Sequence, residues 1–586
     1  MFHKRMINYN RVKEDIVAII CYSMLTIIMT YPLVFSLNDG VPASSGDVWQ
    51  FIWDFWWFKK ALIDLRANPF YTDYLYYPNG TSLLFNLNMP LHSLLSIPLQ
   101  YLFNLFFVYN FFVILSFILS SYGTYLLIRY LTRDYLVSLV GGFIFGFSPF
   151  RFVRLFAGHL YLLDTSFIPF YIMYLIKSVQ NPNLKNRFLT ILFLVLVLFS
   201  SLTYFTFLIL FTGIYYIWYL FNNRKDIFRK VTKNLSITFI LFFIITSPYF
   251  FILAKEYFTV PYKDLHRSID ESEFYSADLI AFFIPLTIHP IFGKYVTNLW
   301  DPQGINNLLS GNWNEGSVFI GYTVMLLVIF SFIKIKGEGI GFWKIAFISF
   351  LILSLGPFLH ILGKDEFTSL NFKIPLPYLI LFNTFPFFDV SRGPSRFIVL
   401  VMLSASVLGS YSLHKINIRF KRFFIIFIFI LILVENLVVP IPIKGNDWVS
   451  EFFYEMGKED DDYAYLNLFP HHVADYLYLQ VVSNKRDLMG FISRHPLYIE
   501  NFVSKTPILR QLVYEIPSAN GEDIGISESE IEEGLLTLKS YNIKYIVLHK
   551  SNIKPKIFKG YTNFIENLNL TKRYEDDKII VYRVPN

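Results

Sequence analysis

Charge is scarce in this chain. Only 16% of its 586 residues are Asp, Glu, Lys or Arg, while 54% are hydrophobic; soluble domains carry about a quarter charged residues. The shortage argues against an ordinary soluble enzyme and for a polytopic membrane protein. Cysteine is nearly absent. Cys21, inside an apolar stretch, is the single one, which excludes an intrachain disulfide and a thiolate metal cluster. The chain has no Gly-rich phosphate loop ending in Lys-Ser/Thr, no dinucleotide-binding glycine fingerprint, no His-Glu-x-x-His and no Gly-x-Ser-x-Gly. Soluble-type nucleotide chemistry is therefore unsupported. The formal charge of +7 is modest and lies largely in short loops, which is a topology signal and not a nucleic-acid one.

What is abundant is apolar sequence in runs long enough to cross a bilayer, about twenty residues each. The first run, from about 16 to 35, follows Lys4, Arg5, Arg11 and Lys13. It is too long for a signal-peptide core and reads as an uncleaved span with a cytoplasmic N-terminus. Further spans fall near 106–130, 135–150, 165–177, 236–254, 317–333, 341–361, 397–413 and 423–439. Between them the apolar stretch 188–221 would be roughly 50 Å as one helix, against a hydrocarbon core of roughly 30 Å. Basic residues flank both of its ends, Lys177, Lys185 and Arg187 before and Arg224, Lys225, Arg229, Lys230 and Lys233 after. Two short helices with a hinge at Ser200-Ser201-Leu202-Thr203 satisfy that symmetry.

The expected fold is thus mainly α. Residues 1–444 form a transmembrane domain of about eleven helices, with long outer loops at 37–105 and 255–316. Residues 363–395, with Pro375-Leu376-Pro377, read as an outer loop containing a partly inserted hairpin. After Pro440-Ile441-Pro442 the character changes. Strand-like runs (463–468, 543–548, 579–584) alternate with helix-like ones (531–540, 563–568), and Asp576-Asp577 marks a hairpin turn. Residues 445–586 therefore read as a small extracytoplasmic α/β domain. His471-His472 in it lack a third ligand and read as a surface loop.

The candidate chemistry collects in the outer loops. Asp47 lies in Ser44-Ser45-Gly46-Asp47-Val48-Trp49, just before an aromatic run (Phe51, Trp53, Phe55, Trp56, Trp57) that is otherwise an interfacial aromatic belt. A short second loop carries Arg151, Arg154, His159 and Asp164. The arginine fork matches two phosphate oxygens at once, although arginines at a helix end also snorkel. His159 and Asp164 either join Asp47 around a divalent cation such as Mg or Mn, or cap the next helix. Glu315, in Asn312-Trp313-Asn314-Glu315-Gly316, is either a further acid of the set or a helix-start acid. Arg392 and Arg396, around Gly393-Pro394, resemble an anion cradle.

Several of these elements occur in order along the chain: Gly46-Asp47, Asn68-Pro69-Phe70, Tyr77-Pro78-Asn79-Gly80, Gly158-His159-Leu160, Asn314-Glu315-Gly316, Arg392-Gly393-Pro394-Ser395-Arg396 and the tail segment 541–550. The pattern resembles the GT-C superfamily of polytopic membrane glycosyltransferases, in its prokaryotic group that uses lipid-linked sugars. The resemblance implies a multi-pass protein of the plasma (inner) membrane. It implies transfer of a sugar from a polyprenyl-phosphate donor to a cell-envelope glycan, lipid or protein acceptor at the outer face. Asp47 takes the place of the first-loop acid that serves as base or helps hold a metal. Asp164 matches the second-loop acid by position, without the paired-acid form of many members. The Trp-Trp-Asp-type tail motif of oligosaccharyltransferases is missing, against transfer to asparagine sequons. The rival function, a transporter or flippase of lipid-linked glycans, calls for charged groups along the spans and an internal repeat; neither is visible.

Overall fold

The computed structural model describes residues 2–585 except 44–45, 87–88, 223–224, 263–264, 300–308, 310, 312, 338, 367–371, 386–387, 391, 469–473, 495, 516–525 and 551–553, and for 2–10 and 225–227 the backbone alone. His471-His472, Ser44-Ser45, Asn312 and Ser391 lie outside the described residues.

Each of the eleven apolar runs is a helix. They are α1 (Phe2–Met29), α4 (Leu105–Thr132), α5 (Tyr135–Gly146) continued by α6 (Pro149–Phe156), α8 (Ile168–Gln180), α9 (Leu184–Ser200), α10 (Leu202–Phe221), α11 (Lys225–Thr259) and the helices Tyr322–Lys334, Ile340–Ser354, Ile398–Lys415 and Lys421–Glu435. Among the described residues, six helical stretches are long and apolar enough to cross a membrane by length and composition; the chain is a multi-pass membrane protein. The long apolar stretch does break at Ser201. Its backbone turns extended (φ −160°, ψ 109°) and its hydroxyl accepts from Tyr204 N, capping α10. Caps also set the starts of α4 (Asn104, accepting from Phe107 N) and α5 (Asp134, accepting from Val137 N).

Close helix approach builds the centre of the bundle. Helix Ile398–Lys415 is buried along nearly its whole length and presents Ser406, whose hydroxyl donates to Gly141 O at 2.6 Å. Gly146 at the end of α5 sits so near α4 that a Cβ would lie 1.8 Å from Ser121 Oγ. Small residues at such crossings let backbones touch where no hydrophobic drive separates helix from lipid.

The two long loops and the tail cover one end of the bundle. The first loop holds α2 (Val48–Lys59) and α3 (Pro90–Leu99). The aromatic run on α2 is not a lipid-facing belt: Trp49, Trp53 and Trp57, at helical spacing of four, are all buried. Trp49 packs on Tyr478 with ring centroids 4.6 Å apart, and Trp53 Nε1 donates to Gln480 Oε1 at 2.6 Å. Their partners come from helix Asp475–Ser483 of the tail, which no local pattern could announce. Around the start of the segment 363–395 run the antiparallel bridges Phe358–Pro375, Ile361–Lys364 and Glu366–Lys373.

The tail carries a five-stranded mixed sheet in the order Arg486–Asp487, Ala464–Leu468, Ile543–His549, Ile579–Arg583, Thr571–Glu575. The first two pairings are parallel and the last two antiparallel. The closing hairpin turns at Asp576, whose Oδ1 accepts from Lys578 N and Ile579 N. Helices Glu528–Ser540, opened by a Ser527–Glu530 capping box, and Pro555–Asn567 flank the sheet. The edge Arg486–Asp487 docks on the first loop: Asp487 N donates to Tyr74 O (2.9 Å) and Tyr77 N to Asp487 O (3.0 Å).

Candidate active site

Asp47 precedes α2 at the loop-covered end of the bundle. Facing it is the turn after α6, where Gly158 adopts φ +72° and comes so close to α2 that a Cβ would lie 2.7 Å from Val48 N. This contact carries His159 onto the acid: His159 Nε2 stands 2.9 Å from Asp47 Oδ2. Asp47 stays half-exposed, whereas His159 Nδ1 is buried without a hydrogen-bond partner among the described residues.

Behind this pair lies a buried charge cluster. Glu315, in the short turn Trp313–Gly316, receives Arg154 Nη2 on Oε2 at 2.7 Å and Arg396 Nη2 on Oε1 at 2.6 Å. Arg396 Nε adds contacts of 3.2 Å to both oxygens, giving a forked pairing. Burial by itself would raise the Glu315 pKa, but the Arg154 and Arg396 charges outweigh it and hold the carboxyl well below the usual range, with His159 contributing in the same direction. Glu315 is therefore a fixed anion, unsuited to passing protons. Arg154 lies over the Phe150 ring at 4.6 Å, and its Nε and Nη1 are buried without hydrogen-bond partners among the described residues.

The cluster continues through Arg392 to Arg267 and Arg494, which carry no sequence signal of their own. Arg392 Nε lies 3.0 Å from Glu271 Oε1, and Arg267 Nη1 lies 3.5 Å from the same oxygen. Arg494, from the tail, is clamped by Asn86 of the first loop, whose amide accepts from Arg494 N (2.9 Å) and donates to Arg494 O (3.1 Å). Its guanidinium donates to Phe85 O and Val390 O, both at 2.8 Å, while Nε stays buried and unpartnered. Burial, then the neighbouring Arg267 and Arg392 charges, push the Arg494 pKa down to about 10. Arg154, Arg396, Arg392, Arg267 and Arg494 outnumber Glu315 and Glu271, an excess of positive charge that reaches His159 through Glu315 and makes a local field suited to an anion. Tyr161, stacked on Phe51 with centroids 5.9 Å apart, stands near Arg396 and Arg494.

Two sequence candidates are committed elsewhere. Arg151 is fully buried, with Nε donating to Leu163 O (3.0 Å), Nη2 to Ser116 Oγ (2.8 Å) and Nη1 to Gly146 O. Its three nitrogens tie α6 to the end of α7 (Leu160–Leu163), to α5 and to α4, so the fork is turned into the protein. Asp164 is buried, paired with His92 Nε2 of α3 at 3.0 Å and accepting from Ser166 N at 3.1 Å and from the Ser166 hydroxyl. The set Asp47, Asp164 and His159 accordingly does not converge on one point. Among the described residues, metal-capable donors converge at Glu273, His360 and Asp365, within 4.8 Å of one another. The Lys373 ammonium already sits 2.8 Å from Glu273 and 2.7 Å from Asp365 there.

With this geometry in place, the architecture can be compared with known proteins. It is similar to the arabinofuranosyltransferase AftD from Mycobacteria (TM-score 0.59, 12% identity), the match covering 98% of this chain and 40% of AftD. The chain thus spans about two fifths of that protein's length. Weaker likenesses are to the Archaeoglobus fulgidus oligosaccharyltransferase (TM-score 0.45, 11% identity, 92% of this chain and 69% of that one) and to ArnT from Cupriavidus metallidurans bound to undecaprenyl phosphate (TM-score 0.45, 12% identity, 97% and 98%). The fold is GT-C-like, a helical membrane bundle capped by loops and a small α/β unit. By sequence the chain belongs to the family described as domain of unknown function DUF6311, whose pattern matches residues 18–434. No curated protein matches it in sequence.

Proposed function

We propose that this protein is a membrane glycosyltransferase that moves a sugar from a polyprenyl-phosphate-linked donor to an envelope glycan, lipid or protein acceptor. The Asp47 end of the bundle is taken as extracytoplasmic and the N-terminus as cytoplasmic. The observation that carries the reading is a half-exposed carboxylate, Asp47, held by His159, behind which Glu315 gathers the buried Arg154 and Arg396. A base next to an anion site is what glycosyl transfer from a lipid phosphate requires.

In this mechanism Asp47 takes the proton of an acceptor hydroxyl, whose oxygen forms the new bond to the anomeric carbon. The bond from that carbon to the phosphate oxygen breaks, and its electron pair leaves with the lipid phosphate. Arg154, Arg392 and Arg396 stabilise the charge that develops there, while Arg494 helps to bind the phosphate. Glu315 locks Arg154 and Arg396 in place, and Asp164 with His92 holds the turn that presents His159. His159 orients Asp47 and screens it after protonation. A divalent cation is given no step, because Asp47 and His159 supply two donors and Asp164 is turned to His92 and Ser166.

The test is Asp47→Asn in purified enzyme supplied with polyprenyl-phosphate sugars. Transfer is expected to fall by roughly 100-fold to 10,000-fold, the usual contribution of a positioned base, while the melting temperature is unchanged. Full transfer by a folded variant would rule this mechanism out.

A further inference from the structure

The far end of α2 opens on a cavity that the active site does not use. It encloses about 240 Å³ between Trp56, Lys59, Lys60, Asp64, Gln100 and Asn104, with Phe103 and Leu105 completing the wall. Asp47 sits before the first residue of α2 and Lys59 is its last, so the cavity lies about 18 Å along the helix from the acid.

Three features define what fits. The first is charge: Lys59, Lys60 and Asp64 line the cavity, one positive charge in excess among its lining, and Arg486, Lys485 and Asp462 lie within electrostatic range of Lys60. The two ammonium groups rest over aromatic rings, Lys59 over Tyr101 at 4.6 Å and Lys60 over Tyr74 at 5.3 Å. The second is depth: Leu105 is the first residue of the transmembrane helix α4 and Asn104 its cap, which sets the cavity at the boundary between water and hydrocarbon. The third is the apolar track that leaves it. Phe103 stacks on Phe107 with centroids 4.0 Å apart, and Phe111 follows one turn further down α4. Phe103 and Phe111 are exposed, as are Leu94, Leu95, Tyr101 and Leu102 beside the opening.

We propose that this cavity seats the headgroup of an anionic glycerophospholipid. Its phosphodiester lies between Lys59 and Lys60, and one acyl chain follows Phe103, Phe107 and Phe111 along α4. One excess positive charge matches the single negative charge of a phosphodiester. The ring ladder gives a lipid a hold that a free phosphate lacks. The assignment does not depend on the glycosyl-transfer reading. Its consequence is a lipid tie on the helix that carries Asp47 at its opposite end.

The experiment uses the full chain in nanodiscs of phosphatidylcholine, with or without phosphatidylglycerol, and counts retained lipids by native mass spectrometry. Wild type is expected to retain phosphatidylglycerol over phosphatidylcholine. The Lys59→Gln, Lys60→Gln double variant should lose that preference by up to about 30-fold, as expected for two lysines at an anionic surface. The Lys59→Arg, Lys60→Arg variant, which keeps the charge, should retain it and serves as the folding control. Equal retention of both lipids by wild type, or an undiminished preference in the glutamine variant, overturns the proposal. Displacement of the lipid by millimolar glycerol phosphate also overturns it, in favour of a site for a free phosphate.

Discussion

Glu315 carries a full charge in a place closed to water, and it does so because Arg154 from α6 and Arg396 from the turn Pro394–Phe397 approach it from two sides. Replacing one partner of such a group leaves the others buried and uncompensated, which costs more than the pair itself contributes. Glu315→Gln is expected to lower stability by about 3–5 kcal/mol, measured as thermal unfolding in detergent, and to abolish transfer with it. An enzyme that kept its melting temperature but lost its activity would instead make Glu315 a participant in the chemistry. The acid itself was legible in the sequence, as were Asp47, His159, Arg154, Arg392 and Arg396, because ionisable residues stand out in a chain so poor in charge. The role of Glu315 was not legible, since a helix-start acid and a locked counter-ion look alike without their partners.

The sheet of the tail holds a second buried polar arrangement, built from three of its strands. Asn467 donates to Asp487 Oδ2 at 2.5 Å, and its Oδ1 lies 3.2 Å from His549 Nε2. Burial raises Asp487 to about 7 from 3.8 and lowers His549 to about 3 from 6.5. The signs oppose each other. An acid whose pKa is raised on folding loses stability as pH climbs from 3.8 to about 7, because the unfolded chain gives up its proton first. A histidine whose pKa is lowered loses stability as pH falls from 6.5 to about 3, because the unfolded chain takes a proton first. Between about 4 and 6.5 the two slopes cancel in the intact sheet. Asp487→Asn should expose the histidine slope, stability falling toward acid. His549→Gln should expose the opposite one, stability falling toward neutrality, each by up to about 1.4 kcal/mol per pH unit. Melting temperatures recorded from pH 4 to 7 on both variants check this; slopes of the same sign would refute it.

The bundle and the tail meet through the first loop, and the candidate site is completed only at that meeting. Arg494 lies more than 400 residues from Asn86, yet the two are paired through both backbone groups of the arginine. If the tail supplies part of the anion site, Arg494→Ala should raise the KM for the lipid-linked donor about tenfold with little change in kcat, the signature of binding that is uniform between ground and transition states. A fall in kcat alone would assign Arg494 to the transition state instead.

Much of the architecture could be read along the chain. The eleven apolar runs, the break at Ser201 and the closing hairpin at Asp576 all became elements. Hydrocarbon thickness fixes span length, and caps and turns act over a few residues, so these properties are local. Only the tertiary structure decided that the tryptophans of α2 face the tail and not lipid, that Arg151 is spent on carbonyls, and that His92, Arg267 and Arg494 join the candidates. An aromatic or a guanidinium has the same local pattern whether it faces lipid, backbone or ligand. Its role is settled by groups distant in sequence, which folding brings within hydrogen-bond reach.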